Sequence, residues 1–275
     1  MMTTIQGVKP IPFERKEILF SLENISLTLG QNHILEGITI DVRDVVRPNV
    51  HQGQVVGILG LSGTGKSQLC RIMSGLQVPT TGSVTVRSKP LQPGDVGMVA
   101  QHYPLLRHRT VQENLMAAAI LRGRTTQDAM RQVQEYLKSY GLEDRAEHYP
   151  AMLSGGQRQR VSIIQQLLSS DRFIIMDEPF TGLDPVMKDR TIELIQMVSR
   201  QDEHNTIFVV AHDNDSLVKI SDTLWLLGKD PQNPMGPAGI RRQWDLAQMG
   251  LAWKPNVLDT QEGRDLVRDI RGSFG

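Results

Sequence analysis

The chain has 275 residues, 39% hydrophobic and 22% charged, an ordinary globular composition with enough apolar side chains for a substantial core. Lys plus Arg equal Asp plus Glu at 30 each, so no net field favours a nucleic acid or an anionic lipid surface. The single cysteine, Cys70, excludes an internal disulfide and a thiolate metal cluster. No apolar run reaches about 18 residues, and the first ten residues lack the apolar core of a secretion signal. The chain is therefore expected neither to span a membrane nor to be exported by that route, and any link to a membrane is expected through a partner.

In chain order, residues 1–17 carry two prolines and mixed charge and read as an arm. Residues 18–29 alternate as a strand, residues 30–33 turn, and residues 34–42 return, which predicts an antiparallel sheet. Residues 43–51 are longer than a hairpin needs and read as a decorated loop, with a partner contact as the alternative. An apolar strand then runs into Gly60, Leu61, Ser62, Gly63, Thr64, Gly65, Lys66 and Ser67. Glycines let backbone N–H groups approach phosphate oxygens, and the helix that follows adds its positive N-terminal end. Lys66 is placed to reach the β- and γ-phosphates, and the Ser67 hydroxyl to ligate Mg²⁺. A glycine turn with a solvated lysine is the bland alternative. Cys70 lies in the following helix among Leu69, Ile72, Met73 and Leu76, which reads as packing.

Strands are expected at 82–86 and 97–101. From about Tyr103 to Gly141 the pattern turns helical: residues 111–121 are apolar and alanine-rich. Met130, Val133, Leu137 and Tyr140 then recur at helical steps behind a candidate cap at Thr126, and Gly141 is the stop. This block predicts a helical subdomain. It ends in Leu153, Ser154, Gly155, Gly156 and Gln157, where a second helix N-terminus could meet a phosphate or simply be capped. Residues 173–176 form a buried-strand run delivering Asp177 and Glu178 at its C-terminal end, where open α/β sheets bind ligands. One carboxylate there can hold Mg²⁺, and its neighbour can orient or deprotonate a water. Residues 206–211 make one more apolar strand, closed by His212.

Gly60 to Ser67, Gln101, Leu153 to Gln157, Phe173 to Glu178, Thr181 to Asp184, and His212 together resemble, in order, six motifs of the ABC ATPases. These are the Walker A loop, Q-loop, signature sequence, Walker B strand, D-loop and switch histidine. The resemblance covers about residues 18–228, with the helical subdomain at about 102–160. It implies a phosphate-loop NTPase α/β fold: a mixed sheet with an antiparallel β subdomain and an inserted helical subdomain. It also implies ATP and Mg²⁺ as cofactors and a head-to-tail homodimer or pseudo-dimer. Each ATP would then lie between one subunit's phosphate loop and the other's Ser154, Gly155, Gly156 and Gln157. The single occurrence of the motif set agrees, because those glycines would otherwise have no evident phosphate. The resemblance makes Glu178 the base, His212 the γ-phosphate contact, Gln101 a Mg²⁺ ligand with Ser67 and Asp177, and Asp184 a contact across the dimer.

The chain departs from the family at Leu29, where an aromatic residue often stacks on adenine. It departs also at Gln165 and Gln166, where Arg-Ala is common, and at Ala211, often threonine. None removes a catalytic group. The implied role is a transporter motor resembling the stand-alone ATPase subunits of bacterial importers, cytoplasmic and peripheral on the inner face of the membrane. The permease and any substrate-binding protein are separate chains in such systems, and no direct nucleic-acid contact is expected. The alternative, a soluble ABC ATPase acting on ribosomes or nucleic acid, usually joins two units or inserts a coiled coil, and neither is present. A phosphate-loop kinase or GTPase is disfavoured by the signature segment. Residues 229–239 read as a Pro/Gly-rich linker or loop, and residues 229–275 as a C-terminal extension packing on the core through Trp244 and Trp253.

Overall fold

The computed structural model describes residues 13–47, 52–100, 103–170 and 172–274. Its antiparallel part consists of β1 (Glu14–Leu29), β2 (Asn32–Val46), β4 (Thr81–Val86) and β5 (Lys89–Pro90). The parallel part consists of β3 (Gln54–Leu59), β6 (Val96–Val99), β7 (Phe173–Asp177), β8 (Thr206–Ala211) and β9 (Thr223–Asp230). A last strand, β10 (Asn233–Asp245), runs antiparallel to β9 and meets β2 at Ala238 and Leu35. Among the described residues the strands form one sheet in the order β5-β4-β1-β2-β10-β9-β3-β8-β7-β6.

The parallel strands are buried on both sides, which is why they read as continuous apolar runs. Val56, Ile58, Ile175, Phe208, Val210 and Trp225 face the antiparallel part and the helix α1 (Lys66–Met73), whose Leu69, Cys70, Ile72 and Met73 fill the space between. Phe20 of β1 joins this layer, its ring 5.1 Å from Phe208 and 6.1 Å from Phe173. Cys70 is a packing residue, fully buried, and burial pushes its thiol pKa well up. Val55, Leu59, Ile174, Met176, Ile207 and Val209 face the opposite way. That second core includes residues of α2 (Val111–Leu121), α3 (Thr126–Ser139), α4 (Gly155–Ser169), α5 (Pro185–Gln201), α6 (Asn214–Ile220) and α7 (Gln261–Gly272).

Several boundaries differ from expectation. The first strand begins at Glu14, so residues 14–17 of the expected arm belong to the sheet, and residues 1–12 lie outside the described residues. The cause is the second strand, which continues to Val46 and pairs with it, Val45 opposite Arg15 and Val46 opposite Glu14. Residues 43–46 of the expected loop at 43–51 are therefore strand, followed by the buried Arg47, and residues 48–51 lie outside the described residues. Thr125, not Thr126, caps α3, because its hydroxyl accepts from the amide of Asp128 at the third helical position. The expected linker at 229–239 is a hairpin of β9 and β10. Its Pro234 and Pro237 fall between Asn233 and Ala238, where the ladder shifts register and a missing N–H costs no pairing. The chain beyond it packs inward: Trp244, Leu246 and Leu251 are buried in the helical-side core.

Asp222, at the start of β9, ties three of these segments together. It is fully buried and receives the Arg47 guanidinium, the Val55 N–H at 2.8 Å and the Trp253 indole N–H at 2.9 Å. Its own N–H donates to the Val55 carbonyl at 2.8 Å. Burial pushes the Asp222 carboxyl up to about 6, against the lowering effect of Arg47 and of the two N–H groups. A raised carboxyl pKa means that the stabilising share of this group is present below the unfolded pKa and is lost as pH rises through about 6. Arg47→Met leaves a buried carboxylate without its cation and is expected to cost about 3–5 kcal/mol at pH 8. Without the guanidinium the carboxyl pKa rises further, so the penalty shrinks at pH 5, where the group is neutral. Urea unfolding at the two pH values checks this; an equal loss at both would contradict the assignment.

Candidate active site

The site lies at the C-terminal ends of three neighbouring strands. β3 leads into residues 60–65, and α1 starts at Lys66 without a side-chain cap, so the backbone N–H groups of its first turn have no side-chain partner. Gly63 and Gly65 hold φ at 80° and 92°, a region that penalises any Cβ. At Gly65 a Cβ would also stand 2.9 Å from Ile34 and 3.0 Å from Leu35, because the β1–β2 hairpin leans on the loop there. Lys66 curls back into the loop, its Nζ donating to the carbonyls of Gly60 at 2.8 Å and Leu61 at 3.1 Å. Thr64 closes the turn with its amide and hydroxyl on the Leu61 carbonyl. The outer side of the loop, Leu61 to Thr64, lines a cavity of about 720 Å³ with Lys229, Arg241 and Phe274.

β7 delivers the two carboxylates. Asp177 accepts from the Ser67 hydroxyl, and burial pushes its carboxyl above the usual range, with the Glu178 charge adding to the rise. Its Oδ1 is buried without a partner. Glu178 takes φ of 53°, a strained value for a residue with a side chain. It is held there by its N–H on the Val210 carbonyl at 2.8 Å and by its carbonyl, which accepts from Thr181 at 3.2 Å. Its Oε1 lies 3.6 Å from Lys66 Nζ, and its Oε2 accepts from His212 Nδ1 at 2.8 Å and from the Thr181 hydroxyl at 3.0 Å. His212 follows β8 and is mostly exposed, and no described hydrogen bond or ion pair involves its Nε2.

Two further segments stand apart. Ser154 caps α4 in a reciprocal box: its hydroxyl accepts from the Gln157 amide at 3.2 Å, and the Gln157 side chain accepts from its N–H at 2.9 Å. A Cβ at Gly155 would meet open space. No described hydrogen bond or ion pair joins Ser154, Gly155, Gly156 or Gln157 to the phosphate loop. Asp184 caps α5, accepting from the Met187 amide at 2.9 Å. Behind it Lys188 pairs with Asp213; burial would raise that carboxyl, but Lys188 and the Ser216 amide outweigh it and hold the carboxyl below its ordinary value. Gln101 lies outside the described residues.

Of the departures from the family pattern, Leu29 ends β1 with its side chain exposed, and Gln166 makes a contact between elements. Its Oε1 accepts from the Met98 amide at 3.1 Å, tying α4 to β6. The contact that sequence reasoning missed is the Thr181 hydroxyl on Glu178. A Glu-x-x-Thr spacing, which puts a hydroxyl one turn beyond the carboxylate, is the signal that could have suggested it.

Lys66, Ser67, Asp177, Glu178 and His212 therefore meet at one sheet edge, while Ser154 to Gln157 belong to the helical side. A family model described as ABC transporter matches residues 44–181. The sulfate/thiosulfate import ATP-binding protein CysA of Thermosynechococcus vestitus is 30% identical, over 80% of this chain and 65% of that protein. The methionine import ATP-binding protein MetN of Chromohalobacter salexigens is 34% identical, over 76% of this chain and 62% of its own length. The chain thus spans about two thirds of the length of these relatives. Among solved structures, cbiO1 from Clostridium perfringens, part of the transporter complex cbiONQ, superimposes with a TM-score of 0.71 at 22% identity. That match covers 93% of this chain and 100% of the other, and shows the fold. A dimeric ATP-binding cassette in a post-hydrolysis state, bound to ADP and Pi, gives a TM-score of 0.64 at 26% identity over 83% of this chain and 99% of the other. With the matched model spanning half of the sequence, the chain belongs to the ABC transporter family.

Proposed function

We propose that this chain is the ATP-binding and ATP-hydrolysing subunit of an ABC transporter, powering import through a separate membrane permease. The observation that carries the reading is the convergence of Lys66 and His212 on Glu178 at the mouth of a glycine-rich loop. In this reading the loop amides and Lys66 hold the β- and γ-phosphates, with the ammonium leaving the Gly60 and Leu61 carbonyls for phosphate oxygens. Glu178 takes the proton of the attacking water. With His212 Nδ1–H on the Glu178 carboxylate, Nε2 is the nitrogen left for the γ-phosphate, and it donates to a phosphate oxygen only when it too carries a proton.

The residues present suit Mg²⁺. Asp177 offers a buried, unpartnered carboxylate oxygen beside the Ser67 hydroxyl, a hard oxygen set that a small divalent cation prefers. Ser67, Asp177 and Gln101 would hold the ion, which supplies neutralisation of the charge on the β- and γ-phosphates when bound.

The second segment, Ser154 to Gln157 with its exposed Gly155, completes the site from a second copy of the chain, and Asp184 lies at the joint between the copies. Within the described residues the chain divides into an ATPase domain that opens with β1 at Glu14 and runs to residue 228, and an extension from residue 229. Among the described residues no helix is long and apolar enough to cross a membrane. The permease would hold the chain at the inner face of the cell membrane, and a substrate-binding protein would complete an importer.

Glu178→Gln is expected to keep ATP affinity within about twofold while turnover falls by roughly 10² or more, because the loop is intact and the base is gone. Lys66→Ala is expected to lose both binding and turnover, and Asp177→Asn to lose the Mg²⁺ dependence of nucleotide affinity. Fluorescent-nucleotide titration with and without EDTA, beside phosphate release, separates the three. Mild-detergent purification of tagged Glu178→Gln with ATP and Mg²⁺ tests the transporter assignment. A stoichiometric multi-span membrane protein is the expected companion, and ribosomal or DNA-bound factors in its place would overturn the assignment.

A further inference from the structure

The Glu178 carboxylate is occupied unevenly. Oε2 receives two donors, His212 Nδ1 at 2.8 Å and the Thr181 hydroxyl at 3.0 Å, whereas Oε1 receives neither and faces Lys66 at 3.6 Å. Thr181 binds Glu178 twice, since its N–H also donates to the Glu178 carbonyl at 3.2 Å. That second bond holds the hydroxyl in place on an exposed turn, where water would otherwise compete for it. The backbone of Glu178 is already fixed at a positive φ by its bond to Val210, so the remaining freedom of the side chain lies in its own torsions. The hydroxyl sits on the same turn as the carboxylate, so Oε2 has a second donor that does not depend on the position of the histidine.

We propose that Thr181 is a positioning residue for the hydrolytic step: its hydroxyl anchors Glu178 Oε2 so that Oε1 is the atom that accepts the proton of the attacking water. The inference rests on the ATP-hydrolysing reading above. In the step it serves, the water oxygen bonds to the γ-phosphorus, one water proton passes to Oε1, and the bond between the γ-phosphorus and the bridging oxygen breaks. The electron pair of that bond leaves on ADP. A carboxylate that loses its anchor can rotate away from the line of attack, and misplacement on the ångström scale costs one to two orders of magnitude in rate.

The test compares Thr181→Val, nearly equal in shape, with Thr181→Ser, which keeps the hydroxyl, in ATP hydrolysis by the full chain. Thr181→Val is expected to lower kcat by roughly tenfold with KM for ATP changed less than about twofold. Thr181→Ser is expected to restore most of kcat. Equal kcat for Thr181→Val and the parent would overturn the role of Thr181 while leaving the ATPase reading intact. A change in KM alone, or a rate loss that serine does not rescue, would also overturn it. A parent chain that binds ATP and Mg²⁺ yet never turns over, with or without its membrane partner, would bring down the ATPase reading and the inference together. Thermal melts of both variants, expected within a few degrees of the parent, separate a positioning defect from a folding defect.

Discussion

The contact between Lys66 and Glu178 exists only because β3 and β7 finish at the same level with β8 between them, and the rest of the structure serves that alignment. Register does this work. Gln54 lies opposite Thr206, which lies opposite Phe173, so the loop after Leu59, the histidine after Ala211 and the carboxylates at Asp177 and Glu178 emerge side by side. A slip of one residue in either ladder would turn every apolar side chain to the wrong layer, exchanging Phe208 for Ile207 against α1. Two separate cores, one on each face, therefore specify the site more firmly than any contact within it.

The C-terminal extension and the long β1–β2 hairpin take part in this alignment from the other end of the strand. Arg47 closes the hairpin, Trp253 belongs to the extension, and Val55 is the second residue of β3; all three meet at the buried Asp222. A buried ion pair of this sort contributes little net stability but makes alternatives costly, since either partner left alone is a buried charge. At the opposite end of β3, Ile34 and Leu35 of the same hairpin press on Gly65. The hairpin thus meets the segment from β3 to α1 on either side, through Asp222 near Val55 and directly at Gly65. The tail, by way of Trp253 and the cavity wall at Phe274, is part of the site's support.

The parallel half was legible because its strands are buried on both faces, which leaves continuous apolar runs at Val55, Ile174 and Ile207 bounded by chemistry-bearing residues. The phosphate loop, the carboxylate pair and the closing histidine were legible because each sits at a strand end. Harder to read were elements whose residue types point elsewhere. Asp44 and Arg47 look like solvated loop residues, and only the cross-strand partners Arg15 and Glu14 and the distant Asp222 make that stretch part of the fold. Pro231, Pro234 and Pro237 argue for a linker locally, yet the strand survives because the register shift falls on Pro234 and Pro237 while Pro231 lies in the turn before β10. The Thr181 hydroxyl has no apolar pattern to betray it; its role comes from a turn geometry that only the folded chain possesses.

Under the proposed function, two segments on different parts of one molecule, the glycine-rich loop and Ser154 to Gln157, have to be joined. Ser154 to Gln157 form a capped helix end with an exposed Gly155, with no hydrogen bond or ion pair to the glycine-rich loop among the described residues. Light scattering of Glu178→Gln, with and without ATP, tests most directly whether a second copy brings them together. The mass is expected to double with ATP and to remain that of one chain when Ser154→Arg is added to the same variant. A single-chain mass with ATP demonstrably bound, or a doubling indifferent to Ser154, would contradict a site shared between two copies.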